Sequence, residues 1–216
     1  MNRKKLIKDS EIIEVLDALE AMHPEAMCAL DHGSEFELLI AVVLSAQTTD
    51  VSVNKVTPEL FRKYPSPEAL ASADQADVID TIKTIGLYKT KSANIIKLAQ
   101  KLVDDFDGAV PGTFEELVSL PGVGRKTANV VLAEAFGKPA IAVDTHVFRV
   151  ANRIGLTDAK DVEATEDQLK QRLPESSWIR AHHLLIFHGR KICHARKPEC
   201  ENCGIKTFCL HNGGTK

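Results

Sequence analysis

Residues 120–126 read Leu-Pro-Gly-Val-Gly-Arg-Lys, and the sequence on both sides of them has helical periodicity. Upstream, Thr113 and Glu116 make a capping box that opens a short helix, which Pro121-Gly122 ends. Downstream, a second helix runs from about Arg125 to Phe136 and is closed by Gly137. Glycines at the alternate positions 122 and 124 allow backbone geometry closed to other residues and expose N–H groups with no Cβ in the way. With the start of the next helix, those amides form a concavity for phosphate that asks for no particular base sequence. A Gly-x-Gly alone fits any tight turn between helices; the whole string between two helices is far more specific.

Lys126 falls in the first turn of the downstream helix. A free lysine, with a pKa near ~10.4, is almost wholly protonated at neutral pH and cannot attack carbon. Desolvation and the partial charge at a helix N-terminus both lower that value. On the hairpin alone, Lys126 reads as a phosphate contact. Asp144 changes the balance. The Arg125–Phe136 helix is about 18 Å long, and the connection from Gly137 to Val143 can span up to about 24 Å. That connection is apolar (Pro139, Ala140, Ile141, Ala142, Val143), so it is expected to pack back along the helix and bring Asp144, cap of the next helix, close to Lys126. A lysine–aspartate pair beside a phosphate-gripping hairpin points to nucleophilic chemistry at a sugar anomeric carbon.

Elsewhere capping and helical patterns also dominate, and no run of period-2 strands stands out. Ser10–Met22 reads as an amphipathic helix with Ile12, Ile13, Leu16 and Leu19 on one face. Ser34 and Glu37 cap the strongly apolar Leu38–Leu44, expected to be buried on most sides. Thr57-Pro58 and Ser66-Pro67 each resemble an N-cap followed by proline at the first helical position. Asp74 caps Gln75–Ile85, and a longer helix runs from about Lys89 to Phe106. Asp144, Asp161 and Ser176 are caps for three more.

The chain has 216 residues, enough for one large or two small domains with a real core. No stretch approaches the ~20 apolar residues of a membrane span. The basic Met1–Lys8 is followed by no apolar leader segment, so a soluble cytoplasmic protein is expected. The formal net charge of −3 argues weakly against a nucleic-acid partner, but its distribution argues for one. Residues 120–155 carry five Lys/Arg against two Asp/Glu, and residues 170–216 nine against three. Such separation suits one polyanion-facing side, although solvated charge alone also produces it.

Four of the five cysteines fall in the last 24 residues, as Cys193-x6-Cys200-x2-Cys203-x5-Cys209. Disulfides fit poorly in a chain with no export signal. A metal centre whose ligation folds the tail fits better, and four thiolates suit tetrahedral zinc or an iron–sulfur cluster, with spacing favouring zinc slightly. Cys28, in an apolar context, reads as a small core residue. Arg196 and Lys197 lie between the first two ligands, mounted to touch phosphate or simply solvated.

The Leu120–Lys126 hairpin, the Val143-Asp144-Thr145-His146-Val147-Phe148-Arg149 segment and the cysteine spacing form one specific set. With that set the chain resembles, over essentially its whole length, the endonuclease III family of helix-hairpin-helix DNA glycosylases. The resemblance implies an all-α, two-lobed helix-hairpin-helix glycosylase fold with a C-terminal cluster loop. It places a six-helix barrel domain at 25–133, and a cluster domain at 1–24 plus 134–216. It settles the metal toward a [4Fe–4S] cluster on Cys193, Cys200, Cys203 and Cys209. It implies a monomer, cytoplasmic and nucleoid-associated, acting on double-stranded DNA with damaged bases or abasic sites. Lys126 becomes the nucleophile that attacks C1′ of a flipped nucleotide, and Asp144 its assistant in base departure. The Schiff base so formed permits strand cleavage 3′ to an oxidised or ring-damaged pyrimidine. Gln47 matches the residue that fills the hole and Leu87 the wedge, where residue type alone suggests a surface and a core position. Gly122, Val123 and Gly124 would bind phosphate, with carbonyls of Leu120 and Val123 holding an alkali cation, and His146 lies near the pocket. Thr48 stands where family members often have alanine, with no chemical consequence evident beyond tuning the loop beside Gln47.

Three rivals stay in view. A monofunctional mismatch glycosylase shares the hairpin but usually lacks the lysine, as does the adenine glycosylase that acts opposite oxidised guanine. A non-catalytic DNA-binding module stiffened by its metal site would need no nucleophile at all.

Overall fold

The computed structural model describes residues 6–213 and is helical throughout, with no strand among the described residues. Its helices are α1 (Asp9–Met22), α2 (Glu35–Leu44), α3 (Asp50–Lys63), α4 (Pro67–Ala71), α5 (Gln75–Ile82), α6 (Tyr88–Phe106), α7 (Phe114–Val118), α8 (Arg125–Phe136), α9 (Thr145–Ile154), α10 (Val162–Arg172) and α11 (Trp178–Lys191). Short 3-10 turns follow at Cys200–Asn202 and Leu210–Asn212. Of the basic stretch Met1–Lys8, the first five residues lie outside those described. No described helix is long and apolar enough to cross a membrane.

The chain divides into two compact units: a continuous one, Ala29–Lys138, and a split one made of Met1–Cys28 with Pro139–Lys216. The resemblance suggests boundaries at 24/25 and 133/134, whereas the compact units change at 28/29 and 138/139. The later one is displaced because α8 runs unbroken to Phe136, where Gly137 closes it in the left-handed conformation (φ 59°). Lys138 is then fastened to the continuous unit through its backbone N–H to Leu132 (3.0 Å) and its ammonium to the Gly112 carbonyl (2.5 Å).

In the continuous unit, side chains satisfy the free amides at several helix starts. Ser34, Thr49, Ser66, Asp74 and Thr113 each accept from a backbone N–H in the first turn of the helix they open. From Leu38 to Leu44, α2 is between 0 and 4% exposed, the buried centre of the unit. Thr57-Pro58 does not start a helix: Pro58 lies inside α3, capped earlier by Thr49. Val53, Val56 and Leu60 form a buried stripe that continues past the proline, so packing outweighs the missing hydrogen bond.

In the split unit, α1 packs on α11, and α11 on α9. The core joins Ile12, Val15, Leu16 and Leu19 of α1 to Val147, Val150 and Ile154 of α9 and to Leu184 and Leu185 of α11. Ile13 is not part of that face; it is 47% exposed, and Val15 takes the inward position. Arg172 staples the two halves of the unit together, donating to the carbonyls of Ile7 (2.6 Å), Gly155 (3.1 Å) and Leu156 (2.7 Å). Ser176 does not cap α11 either: Glu175–Ser177 form a 3-10 turn after Pro174, and Ser177 precedes the helix without a side-chain cap.

Candidate functional site

The hairpin between α7 and α8 is held from below by two buried side chains, Leu120 and Val123, 3 and 7% exposed. The Val123 N–H donates to the Leu120 carbonyl (3.1 Å), which closes the turn. The two glycines play different parts. Gly122 has φ 80°, and a Cβ there would lie 3.2 Å from Asn94 Nδ2 and 3.3 Å from Val43 Cγ1, so the turn is seated against α6 and α2. Gly124 has ordinary extended backbone (φ −99°, ψ 178°), and a Cβ there would meet nothing within 4 Å. It stands exposed at the N-terminus of α8, whose first turn has neither a side-chain cap nor an acidic residue. Arg125 and Lys126 occupy that turn instead, both exposed. Cations are disfavoured at a helix N-terminus, so nothing in the helix itself calls for them there. Together, open amides and two cations make an anion-receiving edge.

Gln47 and Leu87 stand on two further loops of the same unit. Both are non-glycine residues in the left-handed region (φ 54° and 59°), and Leu87 is 57% exposed. Such backbone costs about 1–3 kcal/mol per residue and persists where the surroundings enforce it. The loops touch: a Cβ on Gly86 would lie 4.0 Å from the Gln47 carbonyl. Residue type pointed to a buried Leu87; the structure instead exposes it on left-handed backbone. The sequence reading missed Lys91, whose buried ammonium reaches Thr48 Oγ1 at 2.5 Å and gives Thr48 a chemical part after all.

Asp144 and His146 belong to the split unit. Residues 140–143 are buried, 0 to 7% exposed, and deliver Asp144 to the start of α9. Asp144 Oδ1 accepts from the backbone N–H groups of His146 and Val147 (both 2.8 Å), and Oδ2 faces His146 Nδ1 at 3.0 Å. The carboxylate therefore caps its helix and holds an imidazole at once, with 19% of its side chain still exposed.

Cys193 follows α11, Cys200 opens a 3-10 turn that Cys203 follows, and Cys209 precedes the last one. Burial pushes the Cys203 and Cys209 thiols up, and Cys193 and Cys200 push both in the same direction. The four sulfurs thus share one electrostatic neighbourhood, one that disfavours thiolates until a cation compensates them. Among the described residues, no three metal-ligating side chains already converge on a single-ion position. Cys28, half-buried, lies elsewhere in the sequence and is less enclosed than a core residue. The start of the tail is gripped by α9. Arg149 donates to the carbonyls of Cys193 (3.1 Å) and Gly189 (2.9 Å), and Arg153 to those of His194 (2.7 Å) and Ala195 (3.0 Å). Arg153 Nη1 also reaches Cys193 Sγ at 3.5 Å, and His188 Nε2 lies 3.6 Å from Cys203 Sγ. Arg196 and Lys197 are exposed, as expected, with Lys197 at φ 52°.

Residues 40–175 match the family described as HhH-GPD superfamily base excision DNA repair protein. The chain is 49% identical over 195 residues to endonuclease III of Bacillus subtilis, covering 90% of this chain and 89% of that one. It is also 49% identical to endonuclease III of Escherichia coli over 197 residues, 91% of this chain and 93% of the relative. A solved structure of a trapped endonuclease III–DNA covalent intermediate superposes with a TM-score of 0.91 at 46% identity, covering 96% of this chain and 98% of that one.

Proposed function

The chain belongs to the HhH-GPD superfamily of base excision DNA repair proteins, within its endonuclease III branch, and on that premise we propose that Lys126 is the nucleophile of a DNA glycosylase that is also an abasic-site lyase. The observation that carries this reading is Lys126 itself: an exposed amine in the uncapped first turn of α8, beside the open amide edge of Gly122 and Gly124. The hairpin would hold backbone phosphate, while Gln47 and Leu87 enter the duplex as the damaged nucleotide leaves it. Because Lys126 is exposed in the free protein, exclusion of water around it comes with the bound DNA.

The chemistry follows from the amine. Neutral Lys126 Nζ forms a bond to C1′ as the C1′–N bond breaks, and the base departs with that electron pair and a proton. Asp144 stabilises the positive charge that develops on the sugar and takes part in moving the lysine proton. The sugar ring then opens: the C1′–O4′ bond breaks, O4′ takes a proton and C1′ becomes an iminium, which acidifies the C2′ hydrogens; loss of one expels the 3′-phosphate and cuts the strand. Oxidised pyrimidines are the proposed substrates and the nucleoid the proposed place of action. Cys193, Cys200, Cys203 and Cys209 would hold a [4Fe–4S] cluster, whose ligation supplies the free energy that orders the tail. Neighbouring thiols whose ionised forms would repel one another fit a group that brings compensating charge.

The test is covalent trapping. Incubated with abasic-site or thymine-glycol DNA and borohydride, the protein should form an adduct, and Lys126→Ala should abolish it with binding largely retained. Absence of adduct with both DNAs would refute the nucleophile. A colourless protein that contains zinc would refute the cluster.

A further inference from the structure

Lys91 lies one turn into α6, and only 4% of it is exposed. Burial holds its ammonium below the ordinary lysine range. Its Nζ donates to Thr48 Oγ1 at 2.5 Å, while its backbone N–H donates to the Leu87 carbonyl at 2.9 Å. Thr48 is the residue after Gln47, and its own N–H donates to Ser45 (3.0 Å). The Lys91 backbone bond to Leu87 is the first of α6, so the Lys91 side chain ties the residue after Gln47 to the first turn of the helix that Leu87 opens.

For stability alone this is a poor use of a charge, since an apolar side chain of similar length would suit a buried position better. What the ammonium does provide is a charge-assisted hydrogen bond, directional enough to fix a loop at one point. Strained backbone of the kind seen at Gln47 and Leu87 persists only where such constraints over-determine it.

We propose that Lys91 is a positioning residue that, through Thr48, locks the Gln47 loop against the start of α6, where Leu87 stands, into one preset wedge before DNA arrives. This rests on the reading that Gln47 and Leu87 enter the duplex, and it goes beyond that reading by assigning what presets them. Loops already fixed in the inserting conformation lose little entropy on binding, which shows as affinity.

The test uses the full-length protein and a duplex with 2-aminopurine opposite a tetrahydrofuran abasic analogue, whose fluorescence rises when the wedge unstacks it. Thr48→Ala and Lys91→Met should each raise the Kd about tenfold, what one hydrogen bond to a charged group is worth, and lower the fluorescence at saturation. Thr48→Ser should restore both readings. Lys91→Met should melt no lower than the parent protein, separating positioning from folding; a melting loss that tracks the binding loss would overturn the proposal. Gln47→Ala is the control. If it loses the fluorescence rise while Thr48→Ala and Lys91→Met keep it, Lys91 does not preset the wedge. If Gln47→Ala keeps the rise, the wedge reading fails and the proposal falls with it.

Discussion

Replacing Gly122 with alanine puts a methyl group 3.2 Å from Asn94 Nδ2 and 3.3 Å from both Asn94 Cβ and Val43 Cγ1, on backbone with φ 80°. A Cβ in the left-handed region costs about 1–2 kcal/mol, and crowding against packed neighbours adds about 1 kcal/mol. The stiffer unfolded chain returns about 0.4–1 kcal/mol. The net loss is about 2 kcal/mol, or roughly 4–8 °C in melting temperature for a chain of this size. Gly124→Ala should behave differently. Its backbone is extended and its Cβ direction is empty, so a helix-start penalty of about 0.5 kcal/mol is offset by a similar gain in the unfolded state. Its melting temperature should stay within about 2 °C of the parent. Its methyl would nonetheless stand on the exposed amide edge, so affinity for abasic-site DNA should fall while stability does not. Thermal melting by circular dichroism, paired with fluorescence anisotropy on labelled duplex, reads both quantities. Equal melting temperatures for the two variants, or parent-like DNA affinity for Gly124→Ala, would refute the division of labour between these glycines.

Gly189→Ala sets a helix-propensity gain of about 1 kcal/mol against overpacking of about 1–3 kcal/mol. Its Cβ would lie 3.0 Å from His146 Cβ and 3.1 Å from Val150 Cγ2, atoms that cannot retreat unless α9 moves. It should therefore destabilise by about 1 kcal/mol and slow single-turnover base excision, because Asp144 caps α9; a parent-like rate and melting curve would contradict this. Arg196→Ala with Lys197→Ala should weaken binding and reduce the slope of log K against log salt by up to about 2; an unchanged slope would mean the loop does not touch phosphate. Lys91→Met should gain most stability, relative to the parent, at neutral pH. A lysine whose folded pKa is lowered by burial is penalised below that pKa. Folded protein loses the proton before unfolded chain does, so the parent recovers stability as pH rises toward ~10.4. Urea titrations at pH 7 and pH 10 should show the difference shrink, and a difference that grows would reverse the reasoning.

Much of this architecture was readable because local chemistry and global packing agree. The bounds of α8 follow from a glycine at each end, and Ser34, Ser66, Asp74, Thr113, Asp144 and Asp161 all cap the helices they precede. Where packing overrode local preference, the sequence misled. Thr57-Pro58 has the grammar of a helix start, yet the apolar stripe runs through it; Ile13 has the right residue type but the wrong angle on α1. The hairpin motif itself concealed that only one of its glycines needs to be glycine for conformational reasons, since φ is not legible in residue type. Lys91 and Thr48 lie 43 residues apart, and no local pattern joins them. Family resemblance supplied Gln47 and Leu87, because an exposed leucine on a strained turn looks like any other leucine in sequence.

The split unit also has a history in time. Its core takes α1 with Ile7 and Ala26 from the early part of the chain and the rest from Pro139 onward, with Ile205 and Phe208 among its last members. A ribosome adding about 5–20 residues per second needs roughly 10–40 s to travel from α1 to those residues. The continuous unit can fold within that interval, but α1 must wait with Ile12, Val15, Leu16 and Leu19 unpartnered. Its exposed acidic residues, Glu14, Asp17 and Glu20, keep that waiting helix in water. The four cysteines are made long after α1, so the residues proposed to hold the cluster join a unit whose first helix has long been waiting.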